Sequence, residues 1–267
     1  MSVVSKRPLL FVDFLGFSKL VLNETTEEML RRYHHTLANL KTHVLLWEKV
    51  GCDLRVEFVS DSVFIWLENA TDAVAVATLL YLGAILLQNS IFEGSPIRGS
   101  LVFDEFIIDQ RNFHVGYDTS NTPIFIWNHT ILGKGIVKAA SWEKCQDWIG
   151  ISICPDDLPE FESRTPHVID ASLTSNLLID YPPPTKIKSG RSLVLNPVNH
   201  ISEHAEFLLG KLAALENQAG NAEKVLRKID NSRTFIKWIE QENKASTEAW
   251  HSDWIARFTQ PESMERA

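Results

Sequence analysis

Residues 54–67 read LRVEFVSDSVFIWL. Two runs rich in β-branched and aromatic residues flank Ser60-Asp61, which predicts a β-hairpin with an acid at its tip. Upstream, residues 9–14 read LLFVDF, an apolar run with one acid inside it, the pattern of a central strand. Between the two, Thr25 or Thr26 with Glu28 resembles a capping pattern. Met29, Leu30, Tyr33, Leu37, Leu40, Val44 and Leu45 then recur at three- and four-residue spacing, which predicts a long amphipathic helix over 26–50. Downstream of the hairpin, residues 73–87 read AVAVATLLYLGAILL. This run of about 15 residues falls short of the roughly 20 that a membrane span needs, so a buried core helix is expected and no membrane partner.

The remaining elements are shorter. Residues 97–108 predict a strand, 118–123 a loop, 133–143 a helix rich in small residues, and 148–153 another strand. The order β, long α, β-hairpin, α, β describes an α+β fold, a ferredoxin-like antiparallel sheet with helices on one face. Pro182, Pro183 and Pro184 then break the chain. A strand-like SLVLNPV follows, and 200–243 reads as helical with a break near Gly220. The expected division is a domain over 1–198 and a C-terminal helical extension over 199–267.

The 267 residues are 45% hydrophobic and 22% charged, enough apolar material for a packed core. The net charge of −8 excludes sequence-independent nucleic-acid binding, which needs basic surface to neutralise phosphates. Three cysteines, Cys52, Cys145 and Cys154, form no CxxC pair and fit reduced thiols in the cytoplasm. The N-terminal stretch has no long apolar segment and does not read as a signal peptide.

Asp13 and Asp61 are the residues that point to chemistry. Taken singly, the first reads as an acid at a strand end and the second as an ordinary turn residue. Together they read differently, because a ferredoxin-like core makes strand one and the hairpin neighbours and brings both carboxylates to one place. A buried carboxylate is costly unless paired or metal-bound. Two carboxylates with a triphosphate form an all-oxygen site suited to Mg²⁺ or Mn²⁺. The histidines are plainer. His34 and His35 are adjacent on a helix and cannot share one face, and His200 and His204 lack accompanying ligands. GxxxxGK, HExxH and GxSxG are absent. Lys186, Lys188 and Arg191 read first as a solvated basic loop, with Lys188 a candidate triphosphate contact.

FVDFLGFSKL resembles the first-strand motif of the class III nucleotide cyclases. VEFVSDSVFIW resembles their hairpin with the second metal aspartate, IRGSLVF their strand beginning Arg-x-Gly, and ILGKGIVKAASWEK their Gly-x-x-Val-x-x-Ala helix. The likeness covers roughly 8–155. It implies that Asp13 and Asp61 hold two divalent ions per site, Mn²⁺ or Mg²⁺, with the carbonyl of Phe14 as a further ligand. It also implies that the amides of Leu15, Gly16 and Phe17 cradle phosphates, and that the enzyme is a homodimer whose sites are shared between subunits. The family's helix often carries an Asn and, four residues on, an Arg. Here those positions are Val137 and Ser141, the pattern of a divergent subgroup or of a dead enzyme.

In the resembled family the residue four before the second metal aspartate reads the base. Here it is Glu57, with Arg55 on the same strand face. Glu57 can accept from guanine N1–H and N2–H, or from uracil N3–H while Arg55 donates to a carbonyl; a solvated ion pair is the plain alternative. The short chain, the missing Asn and Arg and the helical tail are similar to the pyrimidine cyclases of bacterial anti-phage defence, the Pycsar systems. That resemblance implies a nucleoside triphosphate substrate, UTP before CTP, a cyclic UMP product, and a separate cyclic-nucleotide effector downstream. A cytidylate or guanylate cyclase, or a dead nucleotide-binding module, are the other readings.

Overall fold

The computed structural model describes residues 6–15, 25, 27–28, 31, 34–35, 53–117, 123–186, 190–198, 202–219 and 222–242, with backbone alone for 109–129 and 202–203. Strands β1 (Lys6–Phe14), β2 (Asp53–Val59), β3 (Ser62–Glu68), β4 (Ile97–Glu105), β7 (Gly150–Ile153), β8 (Leu178–Asp180) and β9 (Leu193–Leu195) form one sheet in the order β2-β3-β1-β4-β7-β9-β8. β5 (Ile107–Tyr117) and β6 (Pro123–Leu132) pair antiparallel as a separate two-stranded sheet. β1 is antiparallel to both β3 and β4, and β2 is antiparallel to β3. The order β2-β3-β1-β4 with these directions is a ferredoxin-like core, in an α+β fold.

β1 sits where its composition demands. Its side chains alternate, sending Leu10, Val12 and Phe14 into one hydrophobic cluster and Leu9 and Phe11 into another on the opposite face. Helix α1 (Asp72–Phe92), capped by the Thr71 hydroxyl, covers the first face. It is apolar all round and buried over most of its length, the mark of a core helix. Among the described residues it is the one helix long and apolar enough to cross a membrane, and 89% of its apolar window is buried in the fold. Helix α2 (Lys134–Cys145) covers the second face through Ala139 and Trp142. Helices were expected on one face alone. The structure corrects this, because β1 and β4 are apolar on both sides and need cover on both.

Close approach sets two glycines. A Cβ on Gly99 of β4 would meet the Phe11 carbonyl oxygen at 2.6 Å. Gly133, at the start of α2 with φ 135, would meet the Glu105 oxygen at 2.5 Å. Lys138 fastens α2 down, with Nζ 2.7 Å from Asp104 Oδ2 and 2.6 Å from Asp157 Oδ1. The two carboxylates hold the Lys138 ammonium well above the usual lysine range against the cost of burial.

Of the predicted long helix, Glu27, Glu28, Arg31, His34 and His35 are helical, and most of the rest lies outside the described residues. Its start is a reciprocal cap: Glu28 N–H donates to Thr25 Oγ1 at 3.3 Å and Thr25 N–H donates to Glu28 Oε2 at 3.4 Å. The strand expected over 97–108 is interrupted at Phe106, where the chain leaves the large sheet. Two short helices absent from the sequence reading, α3 (Leu158–Arg164) and α4 (Pro166–Thr174), connect β7 to β8.

Helices α5 (Ser202–Ala219) and α6 (Glu223–Gln241) share the core of the sheet through Leu208, Leu212, Leu215, Ile229, Phe235, Ile236 and Ile239. The Phe235 ring lies 4.9 Å from Trp148, edge-on, and 4.6 Å from Tyr181. Ile149 N–H donates to Ser232 Oγ at 2.7 Å, and Asn231 Nδ2 donates to the Asp147 carbonyl at 2.6 Å. The proline run joins in, since Asp147 N–H donates to the Pro184 carbonyl at 2.7 Å. Phe235→Ala should therefore lower stability by about 3–5 kcal/mol in urea denaturation followed by circular dichroism. The half-exposed Phe207→Ala should cost only about 0.5 kcal/mol.

Candidate active site

Asp13 is the penultimate residue of β1, on the face covered by α2. Its neighbours across the strand pairs are Ser62 on β3 and Arg98 on β4. Asp61 reaches the same end of the sheet through the hairpin, whose turn places Ser60 in the left-handed region at φ 57. Phe14 N–H donates to the Asp61 carbonyl at 3.0 Å, which ties the turn to the end of β1. The two acids singled out in the sequence thus stand together. Among the described residues Asp13 accepts one side-chain hydrogen bond, from Ser62 Oγ at 3.2 Å. Burial pushes its carboxyl up to about 6, and the negative charges of Glu143 and Asp61 add to the rise.

Sequence reasoning missed a charged pair beside these acids. Arg98 donates through Nε to Glu143 Oε1 and through Nη1 to the Gln146 carbonyl at 2.6 Å, with both side chains buried. Burial pushes Glu143 up, and the Arg98 guanidinium pulls it back. Lys228 of α6 stands close enough to feel both groups; burial, then the Arg98 charge, bring its ammonium down to about 8. Period-two placement on β4 puts Arg98 across from Asp13, but its commitment to Glu143 depends on how α2 packs and leaves no trace in local pattern.

The surroundings of Asp13 and Asp61 fit a divalent cation on one observation. Like charges crowd Asp13, and among the described residues the Ser62 hydroxyl and the charge of Arg98, itself engaged with Glu143, offset them. No group of three or more His, Cys, Asp or Glu side chains gathers among the described residues, so any ion here needs oxygen from the backbone or a substrate.

The amide of Leu15 is a correction to the phosphate cradle. It donates to the Pro96 carbonyl at 2.8 Å, and a bonded amide cannot also serve a phosphate. Gly16, Phe17 and Lys188 lie outside the described residues. Lys186 Nζ donates to the Lys144 carbonyl at 2.6 Å, while Arg191 pairs with Asp180 at 2.7 Å and Glu162 at 2.6 Å, as a surface loop does. His204 is buried against Gln88, 2.6 Å from ring to amide, and burial lowers its pKa. His200 and Cys52 lie outside the described residues, and Cys145 and Cys154 are free thiols.

Arg55 and Glu57 line a cavity of about 400 Å³ with Asp53, Trp66, Glu68 and Ile108. Arg55 pairs with Asp53 at 2.5 Å. Glu57 is 8% exposed and lies opposite Phe64. Glu57 on β2 is two strand spacings, about 10 Å, from β1, while the cavity's Glu68 on β3 accepts from Arg7 Nη1 of β1 at 2.7 Å. Within one chain Glu57 and Asp13 share a face of the sheet, two strands and two register positions apart. Val137, 67% exposed, and Ser141 lie on the outward side of α2.

The structure defines an α+β chain with a ferredoxin-like core and a carboxylate pair at the end of its central strand. No family model and no curated protein matches the sequence. Among solved structures it is similar to the adenylyl cyclase CyaB from P. aeruginosa, at 20% identity and TM-score 0.42, covering 73% of this chain and 95% of that one. It is also similar to the guanylate cyclase domain of RhGC from Catenaria anguillulae in complex with GTP, at 12% identity and TM-score 0.46, covering 72% and 97%. A third is a dimeric guanylyl cyclase domain of a RhoGC fusion protein from the aquatic fungus Blastocladiella emersonii, at 13% identity and TM-score 0.41, covering 70% and 94%.

The raised Asp13 carboxyl has a consequence for stability. Its folded pKa of about 6 exceeds the ordinary 3.8, so the folded chain holds this proton where the unfolded chain has lost it. The group therefore destabilises the metal-free fold as pH rises from about 4 to 6. Asp13→Asn should match the native chain at the acid end and be the more stable above pH 6, in urea titrations with chelator. Added Mn²⁺ should then stabilise the native chain and not the variant.

Proposed function

We propose that this protein is a nucleotide cyclase that converts a nucleoside triphosphate, UTP before CTP, to its 3′,5′-cyclic monophosphate and pyrophosphate. The observation that carries the reading is the meeting of Asp13 and Asp61 at the end of β1, within motifs that resemble those of class III cyclases. Asp13, Asp61 and the Phe14 carbonyl would hold two divalent cations, Mg²⁺ or Mn²⁺. Bound there, such ions lower the pKa of the ribose 3′-hydroxyl and neutralise the leaving pyrophosphate. The 3′-oxygen then attacks the α-phosphorus in line. With Leu15 engaged, the amides of Gly16 and Phe17 remain for the phosphates, and Lys188 for a triphosphate contact.

Glu57 and Arg55 read the base in this proposal. A carboxylate accepts uracil N3–H and a guanidinium donates to a carbonyl oxygen, both as charge-assisted bonds. Cytosine has a bare N3 and offers Glu57 no donor at that position, a basis for discrimination. The resemblance to the class III cyclases supports a homodimer in which each subunit completes the other's site. In this reading residues 1–198 are the catalytic unit and 199–267 a C-terminal extension, whose described helices α5 and α6 pack on the core. Cyclic UMP made in the cytoplasm would act on a separate effector in anti-phage defence. The exposed Val137 and Ser141, where the resembled helix carries Asn and Arg, favour a second reading, a nucleotide-binding module without turnover.

Incubation with each of the four nucleoside triphosphates and Mn²⁺, with products identified by mass spectrometry, separates these readings. Cyclic UMP is the expected main product. A preference for GTP would make Glu57 a guanine reader, and absence of pyrophosphate release would leave the binding module. Asp13→Ala and Asp61→Ala should each abolish turnover with the circular dichroism spectrum retained, and substantial activity in either would overturn the metal assignment. Glu57→Ala should flatten the base preference in steady-state kinetics, whereas an unchanged preference would place base reading elsewhere.

A further inference from the structure

A second cavity, of about 240 Å³, opens between the helical residues Arg31 and His35, the end of α1 at Phe92 and Glu93, and α5 at Lys211 and Leu215. Two permanent cations and a histidine face one carboxylate. Among the described residues neither Arg31 nor Lys211 has a carboxylate partner, and Lys211 Nζ instead lies 5.3 Å from the Phe207 ring centre. In a chain of net charge −8, two cations with no carboxylate partner among the described residues, sharing one hollow over an apolar floor, form a local anion site.

We infer that this cavity binds a small phosphomonoester with an apolar body and that its occupancy regulates the catalytic site. The planar Arg31 fork and the Lys211 point charge, both lining the cavity, are chemically matched to a tetrahedral dianion. Phe92 and Leu215 accept the apolar part. The volume lies below the roughly 300–1,000 Å³ of drug-sized sites, which fits one ring and its headgroup.

The link to catalysis is covalent and hydrogen-bonded. The cavity wall at Glu93 continues into a turn held by Ser95 N–H on the Ser90 carbonyl at 2.9 Å. At the next residue, the Pro96 carbonyl accepts the Leu15 amide at 2.8 Å, beside Phe14 and Asp13. An anion held between Arg31 and Lys211 therefore ties three segments together: the helix that follows the phosphate cradle, the turn that holds the end of β1, and the C-terminal extension. This regulatory half rests on the cyclase reading; the binding half does not.

Phenyl phosphate is the probe. Calorimetric titration of the full chain should show one binding event, retained in an Asp13→Ala, Asp61→Ala double variant. It should be weakened about tenfold or more in Arg31→Glu with Lys211→Glu, and several-fold in the milder Lys211→Met. Absence of binding, its loss with the two aspartates, or its survival in both folded cavity variants would overturn the site. Phenyl phosphate should also change nucleotide turnover several-fold in the native chain. The cavity variants should keep the basal rate and lose that response. Binding without any change in turnover overturns the regulatory half alone. Absence of turnover in every chain counts against the cyclase reading, and calorimetry still judges the cavity.

Discussion

β1 is hydrogen-bonded along both edges and covered by helices on both faces, and the placement of every candidate functional group depends on it. Period-two alternation sends Val12 and Phe14 under α1 and Asp13 to the α2 side. A one-residue slip would bury the carboxylate in the larger core and expel a phenylalanine, so the two-sided burial fixes the register. The same constraint requires glycine at Gly99, where β4 and β1 pack too closely for a side chain.

Among the described residues around that strand end, negative groups outnumber available cations. Arg98 is close to Asp13 but spends its donors on Glu143 and the Gln146 carbonyl. Ser62 is a weak substitute. The pair Asp13 and Asp61 is thus under-compensated in a partly buried place, where unbalanced charge is expensive. Such a deficit is the usual setting of a cation site and of perturbed catalytic carboxyls. The helical extension is part of this arrangement, because Lys228 of α6 adds positive charge next to Arg98 and Glu143.

Much of the core was legible in sequence because its signals are local. The hairpin around Ser60-Asp61, the apolar strand with Asp13, the all-apolar α1 and the Thr25–Glu28 cap each carry their own pattern over a few residues. So did the division of the C-terminal stretch into two helices, which end and begin at Ala219 and Glu223. The elements between β7 and β8 were missed: α3 and α4 are short, and neither carries an amphipathic repeat long enough to stand out.

What the sequence determined by itself is therefore the ferredoxin-like order of elements and the two aspartates that its first strand and hairpin bring together. Periodicity and turn chemistry act over neighbouring residues and need no knowledge of the fold. Only the tertiary structure decided that α2 closes the opposite face, that the Leu15 amide is spent on Pro96, that Arg98 serves Glu143, and that Glu57 lies about 10 Å from β1. Each of these is a meeting of residues far apart in the chain, set by packing volume and by the competition of one donor among several acceptors, and neither quantity is written in any local stretch.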